Sequence, residues 1–197
     1  MYFPFAPRVL FCGVFCAALA ACNPSPSQPL VPPGTPSAVD IVGQLPVPNP
    51  PSNLSLKDQI AQLEKSGQLP NLDRSDSVLG PDINNNGIRD DIEAFIASLQ
   101  LPDKQAKAAL QSAKAMQLTL SVDTSDKAAV QRVGEISMAS TNCLFDSIPD
   151  GQIANQLGLA IESKTANTKI RVTKYLAYNS ASSGSSTASP SGDTCEK

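Results

Sequence analysis

Residues 103–120, DKQAKAALQSAKAMQLTL, decide the fold, because apolar side chains recur there at intervals of three and four: Ala106, Leu110, Ala113, Met116 and Leu120. That interval is the period of a helix, not the two-residue alternation of a half-buried strand. The stretch predicts a helix from about Asp103 to Leu120 with a narrow apolar stripe, and its alanines allow neighbours to approach closely.

Outward from this helix the same period continues. Asp123-Thr124-Ser125-Asp126 is a start signal for a helix that carries Val130, Val133, Ile136 and Ser140 down to Cys143 and Leu144. Ile148-Pro149-Asp150-Gly151 then reads as a turn. One long or broken helix is expected over Ile153 to Ala181, with Leu157 and Ile161 inward in its first half and Ile170, Thr173 and Leu176 in its second. Upstream, a helix leaving Asp90 places Ile92, Phe95, Ile96 and Leu99 in the core and ends near Leu101-Pro102. A first helix runs from Leu56 to Ser66, capped by Ser55 and stopped by Gly67, with Leu56, Ile60 and Leu63 on one face. No run alternates long enough for a sheet, and no internal repeat is present. The expected fold is all-α, a small bundle of about four to five helices over residues 54–179, enough for one core. With no Trp in the chain that core is light, so a crosslink or a metal is expected to contribute to its stability.

Residues 82–93, DINNNGIRDDIE, place an oxygen ligand at every second position around a turn glycine. Asp82, Asn84 and Asn86 fill positions 1, 3 and 5. Gly87 permits the bend at position 6, the Ile88 carbonyl supplies position 7, Asp90 stands at position 9 and Glu93 at position 12. An alternating array of hard oxygens suits Ca²⁺, which takes six to eight of them. Three formal negative charges face the ion, and Asn at positions 3 and 5 puts the expected affinity toward the weak end, roughly 10⁻⁵ to 10⁻³ M. The loop resembles the single calcium loops of EF-hand type. With Arg89 at position 8, where a paired EF-hand carries an aliphatic residue, it is more similar to the thrombospondin type 3 repeat and to isolated loops of bacterial surface proteins. The competing reading is an Asx-rich turn whose Asp90, Asp91 and Glu93 complement the positive end of the following helix.

At the amino terminus Arg8 precedes an apolar run from Val9 to Ala21, too short to span a bilayer, with small residues before Cys22; this is the order of a secretory signal over residues 1–21. Leu19-Ala20-Ala21-Cys22 resembles the lipobox of bacterial lipoproteins. The resemblance implies cleavage before Cys22, diacylglycerol on its thiol and, with Asn23 next, the outer membrane, facing the periplasm or the outside. Ordinary secretory cleavage and a retained anchor are the alternatives. Residues 22–53 hold ten prolines among Ser, Gln and Asn, a disordered spacer by composition. As polyproline II it would reach at most about 95 Å. Its one apolar patch, Ala38 to Val42, reads as an interruption or as a docking segment for a partner.

Removing the signal takes Cys12 and Cys16, and lipidation occupies Cys22, which leaves Cys143 and Cys195 in an oxidising compartment. A disulfide between them is the economical expectation against two unpaired thiols. It would tether the Ser-rich tail, residues 180–197, and disfavour the unfolded chain by roughly 4 kcal/mol in the entropic model.

The chain contains no His, which removes histidine general-base chemistry, Ser-His-Asp triads and histidine zinc sites. Asp90 and Glu93 are better used as ion ligands than as a glycosidase pair, and Ser137 with Lys164 is a Ser-Lys pair only by free selection. The expected protein is not an enzyme. Without Arg8 the chain carries 14 basic and 18 acidic residues, a poor match for nucleic acid. The cluster Lys164, Lys169, Arg171 and Lys174 reads as a solvated helix face, with an acidic partner as the alternative. These observations point to a lipid-anchored envelope protein with a structural calcium loop and an envelope partner, or to an immunity-type lipoprotein that binds and inhibits a periplasmic toxin. An apolar or acidic patch on the folded domain favours the second.

Overall fold

Small side chains put one helix in the middle of the molecule. A computed structural model describes residues 53–188 and 190–197, and among them are six helices and no strand: α1 Leu56–Lys65, α2 Asp90–Ser98, α3 Asp103–Ser121, α4 Lys127–Ser147, α5 Gly151–Thr165 and α6 Lys169–Ser182. The fold is all-α. α3 packs against α2, α4, α5 and α6. The narrow stripe expected of it is therefore too narrow: Ala108, Ala109 and Ala115 are buried beside Ala113, Met116 and Leu120, while Ala106 and Leu110 are half-buried, so more than one side accepts neighbours. Two of its buried polar side chains find backbone partners, as burial requires, while the buried Gln105 Oε1 has none. Thr119 Oγ1 donates to the Met116 carbonyl at 2.7 Å, and Gln117 Nε2 donates to the Leu79 carbonyl at 2.8 Å.

The main core joins Ile92, Phe95 and Ile96 of α2 to Leu144 of α4 and Leu157 and Ile161 of α5. A smaller cluster unites Val130 and Val133 with Tyr178 of α6. Helix starts follow the sequence signals. Ser55, Asp126 and Asp150 each cap a helix by accepting from backbone N–H groups of the first turn.

The long helix expected over Ile153 to Ala181 divides at residues 166–168. Thr168 caps the second half by accepting from Arg171 N–H at 3.4 Å, and the restart turns a different face inward. Arg171 and Tyr178 are buried, whereas Ile170 and Leu176 are 38% and 59% exposed and Thr173 is exposed, against the expectation for all three. Ile136 of α4 also points outward, at 40% exposure. α1 buries no residue; Leu56 is exposed and Ile60 and Leu63 are half-buried, so its apolar face meets no other helix closely.

The signal at 1–21, Cys22 and the proline-rich spacer up to residue 52 lie outside the described residues. Within the described residues no helix is long and apolar enough to cross a membrane.

If close approach at alanine sets the architecture, Ala109→Leu lowers stability by about 1–3 kcal/mol through overpacking. The exposed control Ala61→Leu changes it by less than about 0.5 kcal/mol, both read from urea unfolding.

Candidate metal centre

The segment before the loop, residues 71–81, has no regular structure, so its backbone groups need partners from elsewhere. Two fully buried arginines provide them. Arg171 Nε donates to the Val78 carbonyl at 3.1 Å. Its Nη1 donates to the Asp73 carbonyl at 2.7 Å and to Asn167 Oδ1 at 2.8 Å, and its Nη2 donates to the Asp73 carboxylate at 2.5 Å and to the Ser77 carbonyl at 2.8 Å. All five guanidinium N–H groups are thereby used. Arg89 grips the Asp91 carboxylate through Nε at 2.5 Å and Nη2 at 3.0 Å, and donates to the Lys164 and Thr165 carbonyls that end α5. The two clusters join, because the Asp73 N–H donates to Asp91 Oδ2 at 2.6 Å. Gly80 lies directly on Arg89: its φ of +67° is a left-handed value, and a Cβ there would overlap the Arg89 side chain.

This corrects the reading of Arg171 as part of a solvated basic face; it is a buried anchor. It also explains Arg89. At position 8 the loop uses its side chain to bind the end of α5, the place where a paired loop would use an aliphatic contact.

With both ends fixed, residues 82–93 close on themselves. Asp90 N–H donates to the Pro81 carbonyl at 2.9 Å. The Asp82 carboxylate accepts from Asn86 N–H at 3.1 Å and Gly87 N–H at 2.9 Å. Asn84 Oδ1 accepts from Asn86 N–H, Asn86 Oδ1 accepts from Ile88 N–H, and Asp90 Oδ1 accepts from Ile83 N–H. Glu93 reaches back from the first turn of α2, its two oxygens accepting from Asn84 Nδ2 at 3.0 Å and Asn86 Nδ2 at 2.5 Å. Asn85 and Gly87 take the positive φ values, 55° and 85°, that turn the chain. Ile88, at 5% exposure, roots the loop in the core.

The expected ligand side chains thus form one hydrogen-bonded set. They do so as a mixture of amides and carboxylates: among the described residues no three His, Cys, Asp or Glu side chains gather into a cluster that could hold a metal ion. The donor set nevertheless suits a hard cation. Both Asn side chains carry an oxygen with a second lone pair, and the Glu93 oxygens are held by amide N–H groups that a cation can replace. Asp82, Asn84, Asn86, Asp90 and Glu93, with the Ile88 carbonyl, are the residues that would hold Ca²⁺.

Ser137 and Lys164 do not meet. Ser137 Oγ is buried in a cleft of about 170 Å³ beside Glu162, Tyr175 and Asn179 and has no hydrogen-bond partner, while the Lys164 ammonium lies 4.6 Å over the Phe95 ring. Burial lowers the Lys164 pKa and raises that of Tyr175. Cys143 and Cys195 are bonded, with Cα atoms 4.9 Å apart. Comparison with protein-family models, with curated proteins and with solved structures gave no match.

Partial burial opposes charge on Asp73, but the hydrogen bonds from Arg171 and Ser75 outweigh it and hold the carboxyl below its ordinary value. The unfolded chain then takes up the proton first. The stabilisation is complete above the ordinary carboxylate value, about pH 4, and is lost as pH falls through the folded value. Asp73→Asn should therefore be less stable than the wild type at pH 7, with the gap closing below about pH 4 in urea unfolding. Arg171→Met takes the guanidinium from the carbonyls of residues 77 and 78 and from the Asp73 charge, leaving the Asp73 carbonyl with Asn167 Nδ2 alone, and should cost about 3–5 kcal/mol; Arg171→Lys should recover little, lacking the fork.

Proposed function

We propose that this protein is a non-enzymatic, lipid-anchored envelope protein whose helical domain is stabilised by Ca²⁺ in the loop 82–93. The observation that carries the reading is the convergence of Asp82, Asn84, Asn86 and Glu93 on one another beside Gly87, with Asp90 closing the loop through its side chain on Ile83 N–H and its own N–H on the Pro81 carbonyl. An acid-capped helix needs none of the three asparagine and aspartate turns before it. Both ends of the loop are anchored by buried groups, which suits a structural ion better than a switch. The lipobox at Leu19 to Cys22 and the proline-rich spacer supply the anchor and the reach, putting the domain at a distance from the outer membrane.

Calcium titration of the purified full chain by calorimetry and thermal melting tests this. The expected result is saturable binding at about 10⁻⁵ to 10⁻³ M with a raised melting temperature, both absent in the double variant Asp82→Ala, Glu93→Ala. No heat and no shift at millimolar calcium would remove the metal from the account. Incorporation of labelled fatty acid in cells, lost in Cys22→Ser, tests the anchor separately.

One observation favours a partner-binding or inhibitory role as the second reading. Val172 and Leu176, one turn apart on α6, are 41% and 59% exposed and form an apolar strip on the folded domain. Crosslinking in intact envelopes should then trap a protein with the native chain and not with Val172→Glu, Leu176→Glu.

A further inference from the structure

The end of the tail is built into the face of α3 beside the calcium loop. Gln111 is 7% exposed, and its amide pairs with the tail backbone as a neighbouring strand would: Nε2 donates to the Thr194 carbonyl and Oε1 accepts from Glu196 N–H, each at 2.9 Å. Between those two residues Cys195 is bonded to Cys143 of α4. Nearly one turn along α3, Lys114 Nζ meets Glu196 Oε2 at 3.4 Å. The methylenes of the same lysine pass along the loop, 3.8 Å from where a Cβ on Gly87 would stand. A cleft of about 280 Å³ has Asn86 and Ile88 on one side and Glu196 and Lys197 on the other.

Lys114 therefore lies along the loop with its methylenes and meets Glu196 with its ammonium. Docked, Glu196 balances its charge. Without Glu196, the ammonium lies unpaired at the rim of a loop holding Asp82, Asp90 and Glu93, where it opposes a divalent cation and competes for its ligands.

We propose that the Cys143–Cys195 disulfide sets the calcium affinity of the loop by keeping Glu196 on Lys114. The inference rests on the calcium reading given above. Reduction by a dithiol breaks the S–S bond; two electrons and two protons give the Cys143 and Cys195 thiols, and the dithiol closes to its own disulfide. The last residues then keep the Gln111 amide, the Asn142 to Pro190 contact and the exposed Lys114–Glu196 pair, but lose the closed loop that kept them near. Glu196 leaves, Lys114 is released toward the loop, and affinity falls about three- to tenfold. By linkage, calcium makes the disulfide harder to reduce by the same factor.

Calorimetric calcium titration of the full chain tests this in four forms: oxidised wild type, Cys143→Ser with Cys195→Ser, Glu196→Gln with the disulfide intact, and the two serine changes combined with Lys114→Met. The proposal expects binding three- to tenfold weaker in the second and third forms, and restored in the fourth to the oxidised value or above. Glu196→Gln keeps the crosslink, so the link from Glu196 to the loop can be overturned even if the serine variant fails to fold. Equal affinity in oxidised wild type and Glu196→Gln overturns the coupling while leaving the calcium site standing. Weakened binding that Lys114→Met does not restore overturns it as well. No binding by the oxidised wild type overturns the calcium reading and this inference with it.

Discussion

Two arginines with no solvent exposure hold an irregular segment in place, and the candidate ion site depends on that constraint. Residues 71–81 have no ladder of their own. A buried guanidinium is tolerated only when its donors and its charge are both satisfied, and Arg171 meets this by drawing three carbonyls, one amide and one carboxylate onto itself. Arg89 does the same at the end of α5, where the carbonyls of Lys164 and Thr165 are short of partners and the helix dipole favours a cation. Since Asp91 takes both Arg89 and the Asp73 N–H, the two anchors act as one network that ties the start of α2, the end of α5, the start of α6 and residues 71–81 together.

The loop inherits its geometry from that network. It begins one residue after Pro81, whose carbonyl accepts from Asp90, and ends in the first turn of α2, next to Asp91. Its two ends cannot separate without opening the arginine contacts. Inside it, Asx-type hydrogen bonds already fold the side chains back on the backbone, and Glu93 is held by the two Asn amides. Such preorganisation lowers the entropy that binding an ion must overcome. An ion that took the place of Glu93's amide contacts would meet a first turn of α2 already tied to Arg89 and to the Asp73 N–H through Asp91, the frame a structural ion needs.

Much of this was legible in the residues. The three-and-four spacing of α3 and its neighbours gave the helices, the Ser55, Asp126 and Asp150 signals gave their starts, and the pairing expected of Cys143 with Cys195 is the bond found. The turn at residues 82–93 was readable in the spacing of its Asp and Asn residues, which the structure brings together by hydrogen bonds. The arginines were not, since a charged residue between Lys169 and Lys174 reads as solvated and nothing local says that four acceptors wait on Asp73, Ser77 and Val78, far upstream. One signal did exist: an arginine at the loop position where paired loops bury an aliphatic group marks a site that faces inward. The outward Ile170, Leu176 and Ile136 were misplaced because the helix restarts at Thr168 and because α3 fills its surroundings with alanine, so fewer large side chains are needed inside.

The most direct test is a crystal structure of the oxidised full chain grown in millimolar calcium. The account predicts an ion at about 2.3–2.6 Å from oxygens of Asp82, Asn84, Asn86, Asp90 and Glu93, with the Asn amides released from Glu93 and the Arg89 and Arg171 contacts unchanged. Glu93 still bonded to Asn84 and Asn86 with no ion between them, or an ion bound only after residues 71–81 have left Arg171, would contradict it.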